Sequence, residues 1–259
     1  MEDNKEADMI GEYDDSRLIA LIKEGAEGIG TDVDDDRAGA LVKYANMLRE
    51  RNKVMNLTNI LDDRGVALLH YVDSMTIIKH IEAEMKAAGR RDLTLIDVGT
   101  GAGFPGIPLK IMLPDIKVTL LDSLRKRLNF LDDVCAVLDL KGIRTAHSRA
   151  EDAGKDKSHR ERYDIATARA VASLPVLCEY CLPFVKVGGV FLAMKGHSEE
   201  ETARSEAALR ELGGKIEKTE EFCLPGTDIE RSVIVIRKTH HTPARYPRQA
   251  GKPSKSPIV

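Results

Sequence analysis

From about residue 90 onward, short apolar runs alternate with longer amphipathic stretches. "LTLIDV" reads as a strand, "GIPLKIML" as the start of a helix and "KVTLLD" as a second strand. "SLRKRLNFLDDVCAVLDL" carries its apolar residues on one helical face, and "GIRTAH" follows as a strand. "YDIATA", "SLPVLCEYCLPFV" and "GGVFLAMK" repeat the strand–helix–strand order, and "EEETARSEAALREL" is a polar-faced helix. Strands alternating with helices of this length predict a mostly parallel sheet covered on both faces. The last two runs, "KIEKTEEFCL" and "RSVIVIRK", have no helix between them. They must pair as an antiparallel hairpin closed by "PGTDIE".

Upstream the period is helical. Leu41, Tyr44, Ala45, Leu48 and Met55 recur near 3.6 residues, after Asp34–Asp36, acids that suit a helix start. "NLTNI" breaks the pattern, and a second helix is expected from about Gly65 to Lys86. Residues 1–36 read as a weakly ordered extension with one short helix near Ser16–Glu24. Residues 37–89 read as a helical appendage, 90–238 as the α/β domain and 239–259 as a tail.

Composition adds exclusions. Of 259 residues, 42% are hydrophobic and 31% charged, an ordinary soluble balance. No apolar run approaches the roughly 18 residues that span a bilayer. The acidic start "MEDNKEADMI" lacks the features of a secretory signal. Four cysteines are too sparse for a disulfide scaffold. The expectation is a cytoplasmic protein without a membrane partner. The net charge of −3 hides an asymmetry. Residues 1–36 hold thirteen Asp/Glu and three Lys/Arg, so the remainder is net basic. From Arg237 onward there are six Lys/Arg and no acid. That Pro-rich basic tail is either a solvated end or an arm that meets phosphate.

The chemistry concentrates in "IDVGTGAGFPG". Gly101, Gly103 and Gly106 satisfy G-x-G-x-x-G, with Gly99 upstream. Glycine permits the tight turn and lets backbone approach a ligand. Asp122 closes the next strand 21 residues after Gly101, where an acid bonds the ribose hydroxyls of an adenosine. Asp97, two residues before the first glycine, would repel a pyrophosphate but favour a cation. That tilts the reading from a nicotinamide cofactor toward S-adenosylmethionine, whose sulfonium and α-amino group are cationic. In "SRAED", Ala150 and Glu151 stand where a loop meets the adenine edge. An acidic helix start explains the pair equally well.

At this point the chain resembles the RsmG family, methyltransferases acting on N7 of a guanine in 16S rRNA. The resemblance rests on "NLTNI", "HYVDSM", "IDVGTGAGFPGIPLKI", "LLDSLRKRLNFL", "SRAED", "ARAVASLPVLCEYCLPFVKVGG", "MKG" and "RYPRQAGKPSKSPI". It covers about residues 37–258, with "GKDKSHRER" as extra loop. It implies a class I S-adenosylmethionine-dependent methyltransferase fold: a Rossmann-like, mostly parallel seven-stranded sheet with an antiparallel last strand. It also implies cofactor contacts from Gly99 and Phe104, ribose contacts from Asp122, Ser123 and Leu124, and adenine contacts from Ala150 and Glu151. Arg169 would complete the site, with Lys195 at the end of the fifth strand. The partner would be 16S rRNA or the 30S subunit, and the enzyme would act as a monomer.

Guanine N7 carries a lone pair and no hydrogen, so methylation demands no general base. Alignment and a preorganised polar site suffice. The fourth strand ends in "TARA", without the N/D-P-P-Y/F box of exocyclic-amine methyltransferases. Arg169 there suits the cofactor carboxylate, guanine O6, a phosphate, or a strand-end salt bridge. Arg125, Lys126, Arg127, Arg245, Arg248, Lys252 and Lys255 are the candidate RNA contacts. Arg125–Arg127 equally forms a solvated face. Phe104 and Tyr71 are the aromatic candidates for stacking. Cys178-x-x-Cys181 reads as packing, His240 and His241 cannot alone form a ligand set, and no metal is expected. Two alternatives stand beside the methyltransferase. One is a nicotinamide-dependent (NAD(P)) oxidoreductase and the other an RNA-binding module with a vestigial cofactor pocket. Asp97 and the closing hairpin oppose the first; the intact glycine loop, Asp122 and Glu151 oppose the second.

Overall fold

The computed structural model describes residues 13–169, 172–196 and 199–259. Seven strands form one sheet: β1 (Thr94–Val98), β2 (Lys117–Asp122), β3 (Ile143–His147), β4 (Tyr163–Arg169), β5 (Val185–Lys195), β6 (Gly214–Cys223) and β7 (Glu230–Lys238). Their spatial order is β3-β2-β1-β4-β5-β7-β6. The first five run parallel, and β7 lies antiparallel between β5 and β6, so the expected hairpin is present.

Period-two alternation divides the core. Leu95, Leu120, Leu192 and Val233 point to one face; Ile96, Leu121, Phe191 and Ile234 point to the other. The helical appendage is packed on the first face. Leu41, Tyr44, Leu48 and Tyr71 belong to the same cluster as Leu95 and Leu120. Tyr44 donates through its hydroxyl to Ala102 O in the glycine loop, tying the appendage to the loop. Strand order reverses between β1 and β4, which opens a crevice at the carboxyl ends of the strands.

One expectation needs correction and two are sharpened. The short helix expected near Ser16–Glu24 in the acidic extension is present and slightly longer. Helix Asp15–Glu27 is capped by Asp14, whose carboxylate accepts from the amides of Ser16 and Arg17, and it buries Leu18, Ile22 and Ala26 completely. Residues 1–12 lie outside the described residues. The expected helix from Gly65 to Lys86 is broken. A π-helical stretch, Val66–Val72, is flanked by α-helical Asp63–Gly65 and Asp73–Met75, and a new helix runs Ile78–Ala88. Ile77 and Thr76 form the break, with the Thr76 hydroxyl donating to Asp73 O. "GKDKSHRER" is the extra loop expected, a run of turns. Arg160 donates to the carbonyls of Gly154, Thr242, Pro243 and Tyr246, which anchors the tail.

Cys178 and Cys181 are completely buried free thiols, and burial pushes both well above the usual thiol range. Among the described residues no group of three or more His, Cys, Asp or Glu is placed to hold a metal ion. Among them, too, no helix is long and apolar enough to cross a membrane.

Candidate functional site

A cavity of about 570 Å³ opens at the carboxyl ends of β1, β2 and β4. The glycine loop forms its floor. Gly99, Gly101 and Gly103 all have left-handed φ, at +74°, +60° and +105°. At Gly101 an added Cβ would meet only Gly99 O, 3.9 Å away, so the backbone is bare on the cavity side. Gly103 is different. A Cβ there would stand 2.5 Å from Tyr44 Oη and 2.9 Å from Leu131, and Gly103 does not line the cavity. It is a tightly packed glycine, set back from the cavity wall. Gly103→Ala combines a disfavoured φ with overpacking and is expected to cost about 2–4 kcal/mol. Thermal unfolding would measure this directly.

Asp122 is buried at the end of β2. Its Oδ2 accepts from the Gly101 amide at 3.0 Å and its Oδ1 from the Leu124 amide at 2.8 Å. Arg127 approaches Oδ2 at 3.5 Å. Ser123 lines the cavity, whereas Leu124 does not and is half exposed to solvent. Asp97 is also displaced from its expected role. It is fully buried beneath the loop and off the cavity wall; its Oδ2 accepts from Thr100 Oγ1 at 2.6 Å and from the Gly106 amide at 3.0 Å. Burial pushes its carboxyl up to about 6, against the lowering effect of those two bonds. Asp97 therefore braces the loop.

Ala150 and Glu151 line the opposite wall. Glu151 is buried, and its Oε1 accepts from the Gly251 amide at 2.8 Å. The tail thus closes this side, and Gly251, Ser254 and Tyr180 join the lining, with Tyr180 Oη 2.8 Å from Ser254 Oγ. At the other end stand Phe104 and His70, stacked with centroids 4.3 Å apart and an interplanar angle of 10°. His70 Nε2 lies 3.2 Å from Ile60 O, so it carries the proton there. Burial, and then the positive charge of Arg169, push the imidazole down to about 4, which keeps it neutral at physiological pH.

A family model described as rRNA small subunit methyltransferase G matches residues 37–230. The chain belongs to the rRNA small subunit methyltransferase G family. It is 55% identical over 243 residues to ribosomal RNA small subunit methyltransferase G of Acetivibrio thermocellus, covering 94% of this chain and 98% of the relative. The protein of the same name from Alkaliphilus oremlandii is 49% identical, with 93% and 99% covered. A Burkholderia thailandensis 1,6-didemethyltoxoflavin-N1-methyltransferase structure has the same fold at 15% identity and a TM-score of 0.50. It covers 76% of this chain and 90% of its own. Membership in the methyltransferase G family sets aside the nicotinamide-dependent alternative.

In this family member Arg169 is part of the cavity wall. Its Nη1 donates to Leu69 O at 2.8 Å and to Asp73 Oδ2 at 3.0 Å, and its guanidinium lies 5.2 Å from the Phe104 ring centroid. Lys195 is not on this wall. It donates to Ala172 O, pairs with Glu201 at 2.9 Å and lines a neighbouring cavity. Tyr71 is buried in the core with its hydroxyl on Leu41 O, so it is no stacking platform.

The basic candidates separate. Arg125 and Lys126 are exposed with no ion-pair partner among the described residues, as are Lys252 and Lys255 in the short helix Lys252–Lys255. Arg127 faces Asp122, and Arg245 pairs with Glu211. Arg248 is engaged within the chain. Its amide and guanidinium hold both oxygens of the buried Glu179, with Nη2–Oε2 at 2.5 Å. The sequence pattern missed Thr58, His70, Arg149, Tyr180, Gly251 and Ser254 on the cavity wall. "NLTNI", "HYVDSM" and the tail motif pointed to their segments, yet nothing in the spacing directed these side chains to one place.

Proposed function

We propose that this chain transfers a methyl group from S-adenosylmethionine to N7 of a guanine in the RNA of the small ribosomal subunit. The observation that carries the reading is one cavity uniting a bare left-handed glycine loop, the buried Asp122 carboxylate and Glu151, in a chain of this family. When bound, the cofactor supplies an electrophilic methyl on a sulfonium. The residues present suit it. Asp122 Oδ1 keeps a lone pair for a ribose hydroxyl, and the second hydroxyl can take the place of the long Arg127 contact at Oδ2. Glu151 Oε2 is left to accept from the adenine amino group after Oε1 takes the Gly251 amide. The loop backbone at Gly99 and Gly101 gives the methionine portion room, and the Phe104–His70 stack closes the far end.

The target nitrogen has no proton to lose, and the imidazole at this end is neutral with its N–H committed to Ile60 O. The chain therefore works by holding and orienting, and by excluding water, rather than by removing a proton. RNA is gripped outside the cavity by Arg125, Lys126, Lys252 and Lys255, four exposed cations on segments that flank its mouth. The enzyme acts as a single chain.

A tritiated-methyl assay on small ribosomal subunits from a strain lacking this methyltransferase tests the reading. Label is expected in RNA as 7-methylguanosine; label in protein, or none, would overturn it. Lys252→Ala with Lys255→Ala is expected to weaken RNA binding without changing S-adenosylhomocysteine affinity. The slope of log affinity against log salt should shrink by about 0.7 for each phosphate that is no longer neutralised. An unchanged slope would remove these lysines from the RNA interface.

A further inference from the structure

A second cavity of about 410 Å³ adjoins the first, and Arg169 and His70 contribute to the walls of both. Its polar side holds Asp73, Arg169 and Arg231, with Lys195, Thr76 and Ser232 beside them. The Asp73 side chain is only 6% exposed; its Oδ2 accepts from Arg169 Nη1 at 3.0 Å and its Oδ1 from Arg231 Nε at 3.1 Å. Each carboxylate oxygen keeps capacity for a further donor. Arg169 Nη1 is fully used, while its Nε and Nη2 have no hydrogen-bond partner among the described residues. An acceptor and a donor therefore stand side by side. The apolar remainder includes Leu69, Met194, Phe222 and Val233. Asp73 directly follows the π-helical stretch Val66–Val72, a local geometry that often marks functional sites.

We propose that this second cavity receives the target base, and that Asp73 with Arg169 selects guanine over adenine. The inference rests on the reading of the chain as a guanine-N7 methyltransferase. Guanine presents the O6 acceptor beside the N1–H donor, with the N2 amino group next. O6 opposite Arg169 and N1–H opposite Asp73 complete both partners. N7 lies on the O6 side of the ring, so this pose turns it toward Arg169 and the cofactor cavity whose wall Arg169 shares. Adenine reverses the pattern, setting an amino group against the guanidinium and a bare N1 lone pair against the carboxylate. A site that leaves its buried polar groups unpaired with the wrong ligand discriminates strongly. Phe222, half buried on β6, offers an aromatic surface to the ring.

The test uses small ribosomal subunits that lack the methyl group, with kcat and KM measured beside S-adenosylhomocysteine affinity by calorimetry. Failure of the wild-type chain to label RNA would sink the functional reading itself. With wild-type activity in hand, Asp73→Asn is expected to lower kcat/KM about 100-fold. Cofactor affinity should stay within about threefold. Phe222→Ala should raise KM for the subunit about tenfold and leave cofactor affinity unchanged. A folded Asp73→Asn chain with wild-type kcat/KM overturns the proposal. If Asp73→Asn loses cofactor binding or cooperative unfolding, Phe222→Ala decides, and an unchanged KM there overturns it.

Discussion

Replacing Asp122 with alanine is expected to lower the affinity for S-adenosylhomocysteine by at least about 100-fold. The carboxylate is buried and already organised by the amides of Gly101 and Leu124. Bonds from ribose hydroxyls to such a charged acceptor contribute about 1.5–3 kcal/mol each. Two of them amount to a hundredfold or more, since about 1.4 kcal/mol is a factor of ten. The substitution also frees the Gly101 amide, so the loop loses a tether at the point where its backbone is bare. Asp122→Asn keeps the shape and one acceptor, and should fall between wild type and alanine. Calorimetric titration measures all three, and alanine-variant affinity within about threefold of wild type would remove Asp122 from the site.

The second large effect is on stability. Arg248→Ala strands the Glu179 carboxylate, which is 1% exposed, without its bidentate partner. Removing one member of a buried pair costs about 3–5 kcal/mol. For a chain of this size that lowers Tm by roughly 10 °C. The double substitution Arg248→Ala with Glu179→Gln should recover part of the loss, because no buried charge is left unpaired. The salt dependence of RNA binding should not change in either variant. A reduced salt slope with normal Tm would restore Arg248 to the RNA interface.

The strand and helix order was legible because burial on a sheet face repeats every two residues and on a helix every 3.6, and both periods are local. Asp122 was legible for a similar reason: it sits at the end of a strand, a fixed distance after the glycines. Asp97 misled because its charge was weighed by its closeness to the loop in sequence. Alternation along β1 puts it on the face of Leu95, under the loop, where Thr100 and Gly106 take it up. Leu124 misled in the same way, being next to the ribose acid in sequence yet turned to solvent. Arg248 looked like a free cation because its partner lies 69 residues away, and Glu151 and Gly251 are 100 apart. No local pattern encodes such pairings; they follow from how the tail is laid on the sheet.

The far-flung origin of the cavity wall bears on folding. Thr58, Gly101, Asp122, Glu151, Arg169 and Ser254 come from separate regions of the chain, so no contiguous fragment holds the site. The loop-closure entropy of bringing them together is met by folding, before any ligand arrives. A ligand that binds only this assembled wall draws the whole chain toward the native state, by RT ln(1 + [L]/Kd). Saturating S-adenosylhomocysteine is therefore expected to protect the appendage and the tail together in limited proteolysis, so that cofactor occupancy reports on the integrity of the entire fold.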